Sequence, residues 1–148
     1  MEKSGRTLAP APNDLVLQFI DARDLANFII APEQKLDGPF NLVSESKHTS
    51  MRDFLETANK VTGGHAQLCW LGPEKVIAAD IGAWVELPLC ETDVSKAAKA
   101  VMKMRPARDI IADTWAWMER LDEMPSNVQV SLDPDKEAAA LDKYVGTE

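Results

Sequence analysis

The chain has 148 residues, of which 45% are hydrophobic and 27% are charged, and its formal net charge is −8. This size and balance are typical of one soluble globular domain with its own core, and the negative charge argues against a nucleic-acid partner. No apolar run approaches the roughly 18 residues that a membrane span needs, and the N-terminal residues lack the apolar stretch of a signal peptide, so we expect a cytoplasmic protein.

The first predicted elements are a strand, a short helix and a second strand. Leu15–Ile20 reads LVLQFI, a β-prone run between polar residues. Asp21 or Asp24 can cap a helix over Leu25–Ile30, and we interpret these aspartates as capping residues rather than as a catalytic pair. A Gly-Pro turn then leads into the second strand, Phe40–Val43.

The clearest predicted helix follows Ser50. Ser50 to Asp53 is a variant of the capping box, with Asp in place of Glu or Gln. Apolar residues then recur at helical spacing, and Gly63 and Gly64 end the helix. The residues of this apolar face are Met51, Phe54, Leu55, Ala58 and Val61. A third strand, Ala66–Leu71, is expected next.

Three further helices are predicted after this strand. The first begins at Gly72-Pro73 and ends at about Ala79, and the second covers Asp93–Lys103. The third follows Pro106, which is tolerated in a first helical turn, and continues to about Arg120. Its packing face is formed by Ile110, Ile111, Trp115 and Met118.

The order of these elements predicts a small α/β or α+β unit with about three short strands and five or so helices. We expect an N-terminal lead-in over residues 1–13, one domain over residues 14–121 and an acidic, flexible tail over residues 122–148. From Leu121 onward the chain has seven acidic residues against two lysines, and few large apolar ones. Such a composition offers little surface to bury.

The cysteines and histidines do not predict a metal site. Cys69 and Cys90 lie among apolar residues and do not belong to a CxxC pair, which favours reduced, buried thiols. His48 and His65 have no Cys, His, Asp or Glu at the spacing of a zinc site.

Three segments together resemble the NAD-dependent epimerase/dehydratase group, the extended short-chain dehydrogenase/reductases. They are LAPAPNDLVLQFIDARDLANFI, GPFNLVSES with TSMRDFLETANKVTGG, and DVSKAAKA with MRPARDIIADTWAWM. They match in order across roughly residues 5 to 120, and the segment IGAWVELPL is similar to a loop of one reductase subgroup. The residues that carry the resemblance are Phe19, Ile20, Asp24, Leu25, Ala26, Asn41, Ser50, Pro106, Thr114 and Trp117.

The resemblance implies an NAD or NADP cofactor for the intact architecture, but this chain lacks the motifs that would use one. The sequence contains no GxGxxG or GxxGxxG turn for the pyrophosphate. The family's catalytic tyrosine precedes a lysine by four residues, whereas Tyr144 is followed by Val-Gly-Thr-Glu. We therefore expect no catalytic residue and no bound cofactor in this chain.

Four residues are candidates for substrate binding. Leu17-Gln18 stands where sugar-nucleotide epimerases of the group usually carry Arg-Asp. The absence of that arginine favours a smaller or less charged substrate that Gln18 could contact, unless Gln18 is an ordinary strand residue. Trp84 and Glu86, two residues apart, are candidates for a cleft wall, although a tryptophan beside a proline is also a common core residue. Arg105 is a candidate for an anionic substrate group, and a solvated arginine is the alternative.

These expectations define two functions. The first is a C-terminal substrate-binding segment of an epimerase/dehydratase-like or reductase-like protein, inactive alone, with a small-molecule substrate. It would associate with the missing Rossmann half or with itself. The alternative is a stand-alone, non-catalytic domain for ligand binding or subunit association.

Overall fold

A computed structural model describes residues 5–31, 36–81, 92–100, 102–123 and 132–146. The fold is a small α/β arrangement, as predicted. The described residues form six helices and four strands, and the strands pair into two separate two-stranded sheets. None of the described helices is long and apolar enough to cross a membrane.

Along the chain, the two strands of one sheet lie between the two strands of the other. In order they are β1 (Gly5–Pro10), β2 (Val16–Leu17), α1 (Ala22–Ile30), β3 (Thr49–Ser50), α2 (Met51–Val61), β4 (Ala66–Leu71), α3 (Pro73–Ala78), α4 (Ser95–Lys99), α5 (Ala107–Met118) and α6 (Pro134–Tyr144). The predicted bounds of β4 and α2 are confirmed, α1, α3 and α5 lie close to theirs, and α4 is shorter than the predicted helix over Asp93–Lys103.

The first sheet pairs β1 with β4 in parallel, from Gly5 opposite Ala66 to Pro10 opposite Leu71. The sequence predicted only a lead-in over residues 1–13, whereas residues 5–10 of that segment form β1. Leu8 and Ala9 are buried, and Leu8 belongs to a hydrophobic core with Leu71. A six-residue strand of mixed composition becomes stable because a long-range partner pairs with its backbone, which sequence pattern alone does not reveal.

Helix α6 lies in the segment predicted to be part of a flexible tail, and the structure corrects that prediction. Asp133 caps the helix, and Pro134 occupies its first turn. Ala140 and Leu141 are buried in the core beside β1 and β4. Glu137 accepts a hydrogen bond of 2.8 Å from the Leu8 backbone N–H. Some of the acidic residues that suggested disorder therefore have structural partners, and Ala140 and Leu141 form the buried face.

The second sheet is a short antiparallel pair, in which Val16 lies opposite Ser50 and Leu17 opposite Thr49. The predicted strand over Phe40–Val43 is wrong. The nearby Ser44 forms hydrogen bonds with Phe19 through its backbone N–H and hydroxyl, but residues 40–43 join no ladder. Phe40 instead packs edge-on against Phe28 of α1 at 5.5 Å between ring centroids.

Helix α2 packs against α5 and also contacts β3 of the second sheet. Ser50 caps α2 as predicted, since its hydroxyl oxygen accepts from the Asp53 backbone N–H at 3.0 Å. Asn59, near the end of α2, forms two hydrogen bonds with the backbone of Ala66, at 2.8 and 3.0 Å. This clamp joins α2 to the start of β4 and so links the two sheets.

Candidate functional site

A cavity of about 720 Å³ lies between β2, α2 and α5. This volume falls within the range of roughly 300–1,000 Å³ that small-molecule sites occupy. Three elements from distant parts of the chain form its walls, and the capped α2 and the packed α5 hold two of them in place. The cavity is therefore the best-formed candidate for a ligand site in the described part of the chain.

The helical walls are apolar because both helices present one hydrophobic stripe to the cavity. Phe54, Ala58 and Val61 recur at intervals of four and three residues on α2. Ile111 and Trp115 are one turn apart on α5. Helical spacing predicted both faces as packing surfaces, but periodicity does not tell whether a face is covered. Except at Ile110, which is buried, the apolar lining side chains are only half-buried and so remain open to a ligand.

Phe19 provides an aromatic part of the wall. Its ring packs edge-on against Phe54 at 5.7 Å and against His48 at 5.2 Å between centroids. The Nε2 atom of His48 is buried and has no hydrogen-bond partner in the described residues. Burial lowers the pKa of His48, and the negative charge of Asp24 partly opposes this shift. Burial therefore favours the neutral form of the imidazole behind Phe19.

Gln18 lines the cavity, but its amide already has partners. Nε2 donates to the Ser44 carbonyl at 2.9 Å and to the Thr92 carbonyl at 3.1 Å, while Oε1 accepts from the Thr92 backbone N–H at 2.8 Å. The side chain joins three separate segments of backbone. The polar atoms of Gln18 therefore hold neighbouring backbone segments together, and only its alkyl portion is left to contact a ligand.

Arg105 lies in a cluster of four charged residues between α1 and α5. Its guanidinium contacts Asp21 at 3.0 Å and Asp113 at 2.5 Å, and Arg23 contacts the same two carboxylates at 2.6 and 2.9 Å. The backbone N–H of Arg105 also donates to the buried Asp24 at 2.9 Å. The sequence suggested a capping role for Asp21, which the structure confirms, but gave no signal for Asp113.

The arginines of this cluster stabilise both carboxylates in the charged form. The Arg23 guanidinium holds the pKa of Asp21 well below its usual range; burial opposes this effect and Arg105 adds to it. Arg105, followed by Arg23, lowers the pKa of Asp113. Two positive and two negative charges balance, so the cluster joins two elements and leaves no excess positive charge for an anion.

The four predicted substrate-binding residues do not meet in one described site. Gln18 lines the large cavity, whereas Arg105 lines a separate one of about 360 Å³ beside α1. Trp84 and Glu86 lie outside the described residues, so their role stays a prediction.

The described walls of the large cavity carry no titratable group, so they offer no proton donor or acceptor for acid–base chemistry. No group of three or more His, Cys, Asp or Glu side chains is arranged to hold a metal ion in the ranges that the structure covers.

Helix N-termini that follow strands do not fit a dinucleotide pyrophosphate either. A pyrophosphate site needs free backbone N–H groups and no negative charge there. Asp21 caps α1, Asp53 lies in the first turn of α2, and α3 begins with Pro73, which lacks an N–H, followed by Glu74. The chain has no glycine-rich turn of the kind that binds NAD or NADP.

Comparisons with protein-family models, with curated proteins and with solved structures give no match.

Proposed function

We propose that this chain is the substrate-binding segment of a cytoplasmic, NAD-dependent epimerase/dehydratase-like or reductase-like protein. The large cavity would receive its small-molecule substrate. The cofactor and the reacting groups would come from a nucleotide-binding half, in the same polypeptide or in another chain. The observation that carries the proposal is the cavity itself, because its volume suits a small molecule and its apolar walls are half-buried.

The segments that resemble the family support this proposal because each contributes one wall. Phe19 comes from the first segment, Phe54 and Ala58 from the second, and Thr114 and Trp115 from the third. The three segments thus meet at one space, and two of the residues that carry the resemblance, Phe19 and Thr114, line it although they are 95 positions apart. A shared ligand site gives a reason for these three patterns to occur together.

The second candidate is a stand-alone domain that binds a small molecule without catalysis. The observation that favours it is that the described walls of the cavity suit a small molecule but carry no titratable group for a reaction. Ligand binding would then need no other half.

Two observations distinguish these candidate functions. One is the sequence of the DNA immediately upstream of the Met1 codon, and the other is the set of proteins that co-purify with this chain from its native cells. We expect a nucleotide-binding half with a glycine-rich turn and a Tyr-x-x-x-Lys motif, either in the same reading frame or as a partner. The combined protein should oxidise NADH or NADPH in the presence of small carbonyl compounds. Absence of such a half from both sources would contradict the first candidate and leave the second.

Calorimetry on the isolated chain is a further test. We expect no NADH or NADPH binding tighter than a Kd of about 100 μM, roughly −5.5 kcal/mol. The reason is the mismatch between the acidic or proline-containing helix starts and a pyrophosphate. Tighter binding would show that this chain holds the cofactor by itself, and would contradict the proposal that a separate nucleotide-binding half supplies it.

A further inference from the structure

The side chains that line the large cavity indicate which ligand charge it can accept. Of its described lining residues, Gln18, Thr62 and Thr114 are polar and none is charged. The remaining walls are aliphatic, aromatic or thioether side chains. A ligand that enters this space exchanges water for apolar contacts over most of its surface.

The three polar side chains have already used their donors. Both amide hydrogens of Gln18 have backbone carbonyl partners, Ser44 and Thr92. The Thr62 hydroxyl lies within hydrogen-bond distance of the Ala58 carbonyl at 2.9 Å, and the Thr114 hydroxyl donates to the Ile110 carbonyl at 2.8 Å. What remains on the described walls is acceptor capacity on the two hydroxyl oxygens and the single indole N–H donor of Trp115.

A negatively charged ligand group would therefore lose its hydration and gain at most the one neutral indole N–H of Trp115, and no cation, in return. The nearby arginines do not supply one, because Arg23 and Arg105 pair with Asp21 and Asp113 and do not line the cavity. A neutral ligand avoids this cost, and one hydroxyl or N–H group on it would find an acceptor at Thr62 or Thr114. Aromatic side chains at Phe19, Phe54 and Trp115 favour a ligand that contains rings.

We infer that the cavity binds neutral, mainly apolar, ring-containing molecules and excludes phosphorylated, sulfonated or carboxylated ones. That such a molecule is a substrate rests on the proposed function, whereas the preference for a neutral ligand rests only on the composition and hydrogen bonding of the walls.

A pair of fluorescent probes that differ in one charged group tests this preference on the full chain. Phenylnaphthylamine is neutral, and anilinonaphthalene sulfonate has the same ring system with a sulfonate added. We expect the neutral probe to bind at least about tenfold more tightly, which corresponds to about 1.4 kcal/mol. The titrations are done in about 0.5 M NaCl, so that the net charge of −8 does not by itself repel the anion. Equal or tighter binding of the sulfonate would overturn the inference.

Substitutions on α2 show whether the probe occupies this cavity. Ala58→Leu fills the space with a larger side chain and should weaken the neutral probe by about tenfold or more. Ala139→Leu makes the same change at an exposed position of α6, outside the cavity, and should leave the affinity unchanged. If circular dichroism shows that Ala58→Leu does not fold, the smaller Ala58→Val replaces it, with an expected weakening of about threefold. Unchanged affinity in a folded Ala58 variant would place the probe elsewhere and contradict the inference.

Two further outcomes separate this inference from the proposed function. Selective binding of the neutral probe, together with no cofactor-dependent activity in the combined protein, would keep the inference and contradict the proposed function. Activity on carboxylated or phosphorylated substrates that weakens in Ala58→Leu would keep the proposed function and contradict the inference.

Self-association of the chain is a separate test of the inference. Probe affinity that falls as the chain concentration rises would show that a second copy covers the cavity, and this too would overturn the inference.

Discussion

The Arg105 guanidinium donates to the Asp21 carboxylate at 3.0 Å, although the two residues are 84 positions apart in the sequence. Asp21 is 7% exposed and is also the N-cap of α1, so this contact ties the start of one helix to the residue that precedes another. The candidate anion-binding arginine is thus used to join α1 and α5.

Asp21→Asn should lower the thermal midpoint at about pH 7 by several degrees, because the buried carboxylate loses its charge beside two guanidinium groups. The pKa of Asp21 is lower in the folded state than its ordinary 3.8. Its contribution to stability is therefore present above that value and is lost as the pH falls below about 4 toward the folded-state pKa. The difference in thermal midpoint between the parent and Asp21→Asn should therefore become smaller as the pH falls over that range. Thermal unfolding from about pH 7 to 3 measures this, with Asp109→Asn, an exposed acid on α5, as control. A gap that stays constant with pH would contradict the ionic role.

His48 predicts a second, separate dependence on pH. Because burial lowers its pKa in the folded state, the unfolded chain takes up a proton more readily below the ordinary value of 6.5. The parent should therefore lose stability as the pH falls from about 7 to 5, and His48→Phe should lose less over that range. Urea unfolding at both ends of the range tests this. His65→Phe, at an exposed position, should behave like the parent, and identical pH dependence in all three proteins would refute the prediction.

Leu141→Ala tests whether α6 belongs to the core. Leu141 is 3% exposed and packs in the core formed with β1 and β4. Its truncation should lower the free energy of unfolding by about 2–4 kcal/mol. Ile77→Ala removes a large side chain that is 69% exposed on α3 and should change stability by less than about 0.5 kcal/mol. Equal effects in urea unfolding would mean that α6 does not contribute to the core in solution.

Gln18→Leu separates a structural role from direct recognition of a polar substrate group. The variant keeps the approximate size of the side chain but removes three hydrogen bonds to Ser44 and Thr92. We expect a loss of about 1–3 kcal/mol in the free energy of unfolding, and no weakening of neutral-probe binding in the absence of that loss. Gln67→Leu, at an exposed position of β4, is the matched control. Unchanged stability with weakened binding would instead assign Gln18 to the ligand.

The sequence predicted the parts of the fold that depend on local chemistry. The cap at Ser50, the stripe through Phe54 and Ala58, and the glycines after α2 are all short-range signals, and the structure confirms α2. β1 pairs with β4 across 61 positions and α6 contacts β1 across 129 positions, and no local pattern encodes these contacts. The cavity belongs to this second class. Its lining residues were recognised as apolar, but the space between the helices depends on how α2 and α5 pack.

The pairing of α6 with β1 has a consequence for how the chain is made. The contact between Leu8 and Glu137 spans 129 positions, so a ribosome that has released β1 and β4 has still to synthesise the helix that covers them. Until then, Leu8 and Leu71 lie on a nascent surface without that cover. The two strands of the second sheet lie within the first half of the chain, whereas α1 and α2 also contact residues 105–118, which are synthesised later. We expect β2 and β3 to pair early during synthesis, α5 to complete the packing of α1 and α2 afterwards, and α6 to cover the sheet of β1 and β4 last. Premature termination before residue 132 should then yield a chain that aggregates through β1 and β4.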